Sequence, residues 1–248
     1  MGREYLLLRF FSDDSHVRTL REGKIRMMSS KYYKSLEDGL QSDVGADGRF
    51  DMYENSAYIY NPDDNGEITL DQPLKLMNKD IIKIRVYEGV ESPIIINNEA
   101  DDELTKVYCF YALFLDEVKE QQLSSVFKDI EKFGTYYCII HDTEDFVKRI
   151  NRGIEEYYVK DIIKNPELKF VDYVDVKKFN GVYGAYRKPT QLSWQNELRF
   201  TVSASSTDPF MLDIGGIKDI SIWGKVTDLK NGRIYSNREL SIDDYEID

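Results

Sequence analysis

Apolar residues recur along this chain in short blocks, and their spacing predicts more strands than helices. Residues 5–11 form an aromatic-rich apolar run of strand length. Ser12, Asp13 and Asp14 then offer helix caps, a short helix runs to Glu22, and Gly23 stands where helices end. Residues 24–30 read as a second strand, after which Ser29 or Ser30 caps a short helix through Tyr32, Tyr33 and Leu36. The polar stretch 38–48 is a loop. The run Asn-Pro-Asp-Asp-Asn-Gly at 61–66 is a turn between strands at 56–60 and 67–70. Ile82, Ile84 and Val86 alternate with Lys83 and Arg85, which is the period of a half-buried strand. Further strands are expected at 93–97 and 106–114.

The second half follows the same grammar. Residues 124–133 have helical spacing and meet Gly134, and 135–141 is a buried strand. Asp142 or Thr143 caps the best helix of the chain, with Phe146, Ile150, Ile154 and Tyr157 or Tyr158 on one stripe. Pro166 ends that region. Strands are expected at 168–176, 197–203, 210–214 and 220–223. Strands and helices do not alternate regularly, so the pattern predicts an α+β fold with a mainly antiparallel, twisted or split sheet and about four helices. No Pro- or Gly-rich linker divides the 248 residues, so a single domain is expected.

Charge narrows the function classes. Lys and Arg number 33 against 45 Asp and Glu, a net charge of −12, which argues against binding generic nucleic acid. No apolar run approaches the ~20 residues of a membrane span. The opening residues do not read as a secretory signal. Cys109 and Cys138 lie in apolar stretches and read as buried thiols of a reducing, cytoplasmic setting. Basic residues dominate positions 1–34, whereas 36–71 are acidic with Arg49 as their single base. The last ten residues are acidic too. Such a surface either keeps the chain in solution or docks on a protein partner.

The familiar catalytic signatures are absent. There is no phosphate loop, no dinucleotide fingerprint, no nucleophile elbow, and no metal-ligand spacing around His16 or His141. Three segments carry candidate chemistry. In Met27–Tyr33, two serines can cap a helix and two tyrosines can stack on a ring or pack in the core. In Gly48–Glu54, Arg49 either pairs with Asp51 or Glu54 or grips a phosphate. In Ser193–Phe200, a strand is expected to place Gln195, Glu197 and Arg199 on one face, with Leu198 and Phe200 on the other. Those three polar groups are either solvated, or they hold a sugar hydroxyl while Glu197 stabilises a cationic transition state. A structural alternative pairs Glu197 with Arg199 or Arg187.

Taken in order, these segments resemble a broad family of uncharacterised bacterial and phage proteins. The likeness rests on Arg9-Phe10, Gly23, Tyr32-Tyr33 to Leu36-Glu37, and the Arg49, Asp51, Glu54 element. It continues through residues 133–140 and 146–150, Lys188-Pro189, Trp194-Gln195-Asn196-Glu197-Leu198-Arg199 and 212–221. That family is similar, more distantly, to proteins of the ADP-ribosyltransferase-like fold. The resemblance implies a phage–host role, NAD as ligand and Glu197 as the catalytic carboxylate. It places Arg9, Tyr33, Arg49 and Gln195 around the nucleotide, with no metal. The other reading is a non-catalytic acidic interaction protein that binds and inhibits or regulates a host or defence protein.

Overall fold

The computed structural model describes residues 4–32, 56–76, 79–85, 93–97, 103–116 and 133–230. Within them the chain folds as α+β with a mainly antiparallel sheet split into one large and three small parts. The strands are β1 (Tyr5–Phe11), β2 (Lys24–Ser29), β3 (Ser56–Tyr60), β4 (Glu67–Leu76), β5 (Lys79–Arg85), β6 (Ile94–Asn97), β7 (Thr105–Phe114) and β8 (Tyr136–Ile140). They continue as β9 (Ile163–Phe170), β10 (Asp172–Val174), β11 (Gly181–Val182), β12 (Arg187–Pro189), β13 (Glu197–Ala204), β14 (Phe210–Asp213) and β15 (Ser221–Lys225). The helices are α1 (Asp14–Arg21), α2 (Thr143–Val159) and α3 (Val226–Lys230).

Strand β7 is the hub of the large sheet. One of its edges pairs along its length with β13, from Glu197↔Tyr111 to Ser203↔Thr105. The other edge is shared. β1 takes the end from Tyr111 to Phe114, and β2 takes Val107 and Lys106. Between Leu8 and Met28 the sheet therefore forks. β8 and β15 extend the β1 arm, β14 extends the β2 arm, and β9 lies outside β13.

Alternation along β13 sorts its side chains. Leu198, Phe200 and Val202 enter the main apolar cluster with Leu7, Phe110, Phe146, Ile150 and Leu212. α1 and α2 close that side. Asp13 caps α1 by accepting from the Ser15 amide, and Asp142 caps α2 by accepting from the Asp145 amide. Phe146, Ile150 and Ile154 form the buried stripe of α2, as their spacing requires. Gly153 lets α2 approach β14, since a Cβ there would stand 2.6 Å from the Asp213 carbonyl oxygen. On the opposite face, α3 covers Leu8, Leu113, Tyr137 and Ile139 with Val226 and Leu229.

One sequence expectation is corrected and another is met. The expected strand at 168–176 is shifted, because β9 runs straight through Pro166. Asn165 adopts φ 49 and the register with β13 shifts between Thr201 and Ser203, so the proline sits at a bulge. Among the described strands β9 is bonded to β13 alone, so proline's missing donor costs no ladder bond to them on its outer side. The turn at 61–66 forms around Asp63, whose Oδ1 accepts from the amides of Asn65 and Glu67. The strands on either side of it do not pair with each other, however: β3 pairs with β6 and β11, and β4 with β5. The expected helix at 124–133 lies almost wholly outside the described residues.

Candidate functional site

The polar face of β13 carries an ion cluster built from three separate segments. Glu197 is its centre. Lys188, from β12, donates through Nζ to Glu197 Oε1 at 2.7 Å and to Gln195 Oε1 at 2.7 Å. Arg199 Nε donates to Glu197 Oε2 at 2.8 Å, and Arg199 Nη1 to the Ala185 carbonyl at 2.6 Å. The Glu197 amide donates to Tyr173 Oη at 3.0 Å. Beside this group, Tyr186 Oη donates to the Glu167 carbonyl at 3.0 Å and lies 2.7 Å from Thr201 Oγ1.

The cluster is largely removed from water. The side chains of Lys188, Glu197 and Arg199 keep only 6%, 14% and 3% of their exposure. Burial alone would raise the Glu197 carboxyl. The charges of Lys188 and Arg199, and the hydrogen bonds they donate, outweigh burial and hold it down to about 2. Burial and then the Glu197 charge push Cys109 up to about 11 and raise Tyr173 as well, while burial pushes Tyr186 up to about 12. Both tyrosines and the half-buried Cys109 thiol are therefore neutral at pH 7. Cys138, wholly buried, is raised further by the same loss of water.

Gln195 reaches this group by a route that strand alternation does not describe. Residues Thr190–Gln195 form a 3-10 helix, and Asn196 at φ 40 reverses the backbone before β13 begins. Lys188 binds both Gln195 and Glu197 and so links them. Trp194, on the same turn, packs at 5.4 Å against Phe133, which stacks on Phe10 at 5.5 Å.

Arg9 lies elsewhere. It alternates with Leu7 and Phe11 of the main apolar cluster, and its guanidinium stacks over Tyr108 at 4.6 Å. Its Nη1 donates to the Cys109 carbonyl at 2.6 Å, a group standing where β7 passes from β1 to β2. Arg9 thus fills the fork of the sheet. Arg187 does not pair with Glu197. It donates to the Val182 carbonyl and lies over the Phe179 ring at 5.2 Å. Tyr33 and Arg49 lie outside the described residues, so the structure brings together only Gln195, Glu197 and Arg199 of the sequence candidates. The member that sequence reasoning missed is Lys188. Its signal was a lysine directly before Pro189 in a stretch otherwise rich in small and aromatic residues, and nothing in that spacing pointed to Glu197.

The described residues contain no cluster of three or more His, Cys, Asp or Glu side chains suited to a metal ion. No helix among them is long and apolar enough to cross a membrane.

Comparison with known proteins yields one named likeness. Respiratory growth induced protein 1 of the fungus Eremothecium gossypii is 25% identical over 140 residues, covering 53% of this chain and 78% of that protein. No family model matches the chain, and no solved structure matches it. The likeness corrects the resemblance read from the sequence. It lies with a eukaryotic protein, not with a bacterial and phage family, and at this identity it is a similarity and not membership.

Proposed function

We propose that the chain is a non-catalytic protein that acts by binding another protein, and that the Glu197 cluster is an internal cross-link of its fold. The observation that carries this reading is the occupancy of Glu197. Each of its carboxylate oxygens accepts a charged hydrogen bond, from Lys188 and from Arg199. A carboxylate so committed, with its pKa near 2, is a poor proton acceptor at neutral pH. It would also have to lose a partner before facing a developing positive charge. The net charge of −12 supplies a surface suited to a basic protein.

The test has two arms. Purified wild-type chain should leave NAD unconsumed, and Glu197→Gln should lower the melting temperature. NAD turnover that disappears in Glu197→Gln at an unchanged melt would overturn the reading. In the second arm, a partner recovered by affinity capture is purified and its association rate measured directly. Reversing Asp43, Asp47 and Asp64 should slow that rate and flatten its salt dependence. Asp63 is left intact because its side chain holds the turn at 61–66. A rate indifferent to those reversals would reduce the acidic segment to a solubility device.

A further inference from the structure

A groove between α2 and the end of β14 is lined by residues that take no part in the Glu197 cluster. Helix α2 and its C-cap pair basic residues with acids four positions earlier: Lys148 with Glu144, Arg149 with Asp145, and the cap Lys160 with Glu156. Arg152 breaks that rule. Four positions before it stands Lys148, a like charge, and four positions after it Glu156 is taken by Lys160. Among the described residues Arg152 makes no ion pair, and it is exposed.

Arg152 lines a groove of about 420 Å³ together with Arg149, Gly153, Asp213, Ile214 and Gly215. Arg149 is committed, donating to Asp145, Asp219 and the Gly216 carbonyl. Gly153 contributes no side chain, so the wall between helix and strand is backbone. Asp213 supplies the opposite charge. Its Oδ1 accepts from the Gly215 amide at 3.0 Å, and its second oxygen takes no hydrogen bond from the described residues. Arg152 and Asp213 thus share one groove as opposite charges that do not pair with each other.

Which ligand suits this arrangement follows from its charges. A simple anion would meet Arg152 but also the field of Asp145, Asp213 and Asp219. A simple cation would meet Asp213 but also Arg152. A molecule carrying both charges on neighbouring atoms satisfies each without offending the other. We propose that the groove binds a free α-amino acid. The ligand's carboxylate accepts two parallel hydrogen bonds from the planar Arg152 fork, and its ammonium donates to the free Asp213 oxygen.

The test titrates glycine and alanine into the isotope-labelled full chain and follows backbone amides by NMR. Acetate and methylamine, each with one of the two charges, serve as controls. Saturating shifts at Gly153 and Gly215 are expected with the amino acids, and much weaker ones with either control. Arg152→Gln and Asp213→Asn should each weaken binding by about tenfold or more, given the strength of a charge-assisted pair. Absence of saturating shifts, equal binding of acetate, or wild-type affinity in Arg152→Gln would each overturn the proposal. Should Asp213→Asn disturb the β14 turn, the exposed Arg152→Gln decides the question alone.

Discussion

The two faces of β13 are closed by different physics. On one face Leu198, Phe200 and Val202 are buried by contacts that need only shape and apolarity. On the other, Glu197, Arg199 and Thr201 are closed by bonds of fixed direction to Lys188, Ala185 and Tyr186. The apolar face tolerates small adjustments, because dispersion and the hydrophobic effect are spread over many contacts. The polar face is brittle, because losing one partner leaves a buried polar atom without its bond. The same eight residues therefore hold the sheet in one way that degrades gradually and another that fails at a single atom.

The largest expected effects probe this difference directly. Phe146→Ala should cost about 3–5 kcal/mol by opening a cavity under β7, and that loss should be indifferent to salt and to mild acid. Lys188→Met leaves Arg199 as the remaining cation on Glu197 and strips Oε1 of its bond, which should cost about 1–3 kcal/mol, the usual penalty for a buried acceptor left unsatisfied. Combined with Glu197→Leu, its cost should fall well short of the sum of the two single changes, measured by urea unfolding. Additive costs would show that the polar face is no more brittle than the apolar one.

Acid sharpens the contrast next. The Glu197 carboxyl sits at about 2 in the folded chain and near its ordinary value of 4.5 when unfolded. Its folded pKa is depressed, so its contribution is fully present above about 4.5 and is lost as pH falls toward 2, a loss of ~2–3 kcal/mol by linkage. Glu197→Gln should remove that part of the acid limb and leave the portions due to Asp13, Glu103 and Asp219, whose carboxyls are also lowered. An unchanged limb in the variant would mean that Glu197 is not held by its two cations in solution.

Smaller effects test the packing around α2. Gly153→Ala gains about 1 kcal/mol in helix propensity but drives a Cβ to 2.6 Å from a backbone oxygen, so the net change should be destabilising by about 1–2 kcal/mol. Lys148→Ala should leave the melting temperature unmoved, since its pair with Glu144 is exposed on both sides.

The apolar half of this comparison was readable from residue order. The stripe of Phe146, Ile150 and Ile154 fixed the buried side of α2, and the alternation at 197–203 placed Leu198 and Phe200 inward. Both are local periodicities that survive without knowledge of neighbours. The polar half was legible only in part. Glu197 and Arg199 share a face by period two, but Gln195 arrives through a 3-10 helix and a left-handed Asn196, which period two does not foresee. Lys188 is nine positions from Glu197 and on another strand, so their meeting is a product of tertiary folding. Arg9 is expected beside a nucleotide only through the resemblance, not from its own position in the strand. In the structure it donates to the Cys109 carbonyl at the fork and lies over Tyr108, contacts that exist only once three strands have met.

That fork also bears on how the chain comes to be made. β1 and β2 leave the ribosome well before β7, yet each takes its place against it, with Tyr5 meeting Phe114 and Met28 meeting Val107. Most of the intervening chain must be synthesised before either finds its partner. The outer edge of β7 then waits for β13, close to residue 200. Such long-range pairing makes for slow assembly, and it leaves two apolar strands uncovered during elongation. A nascent chain stalled before β7 should therefore bind chaperones avidly, and one stalled just beyond β13 should release them.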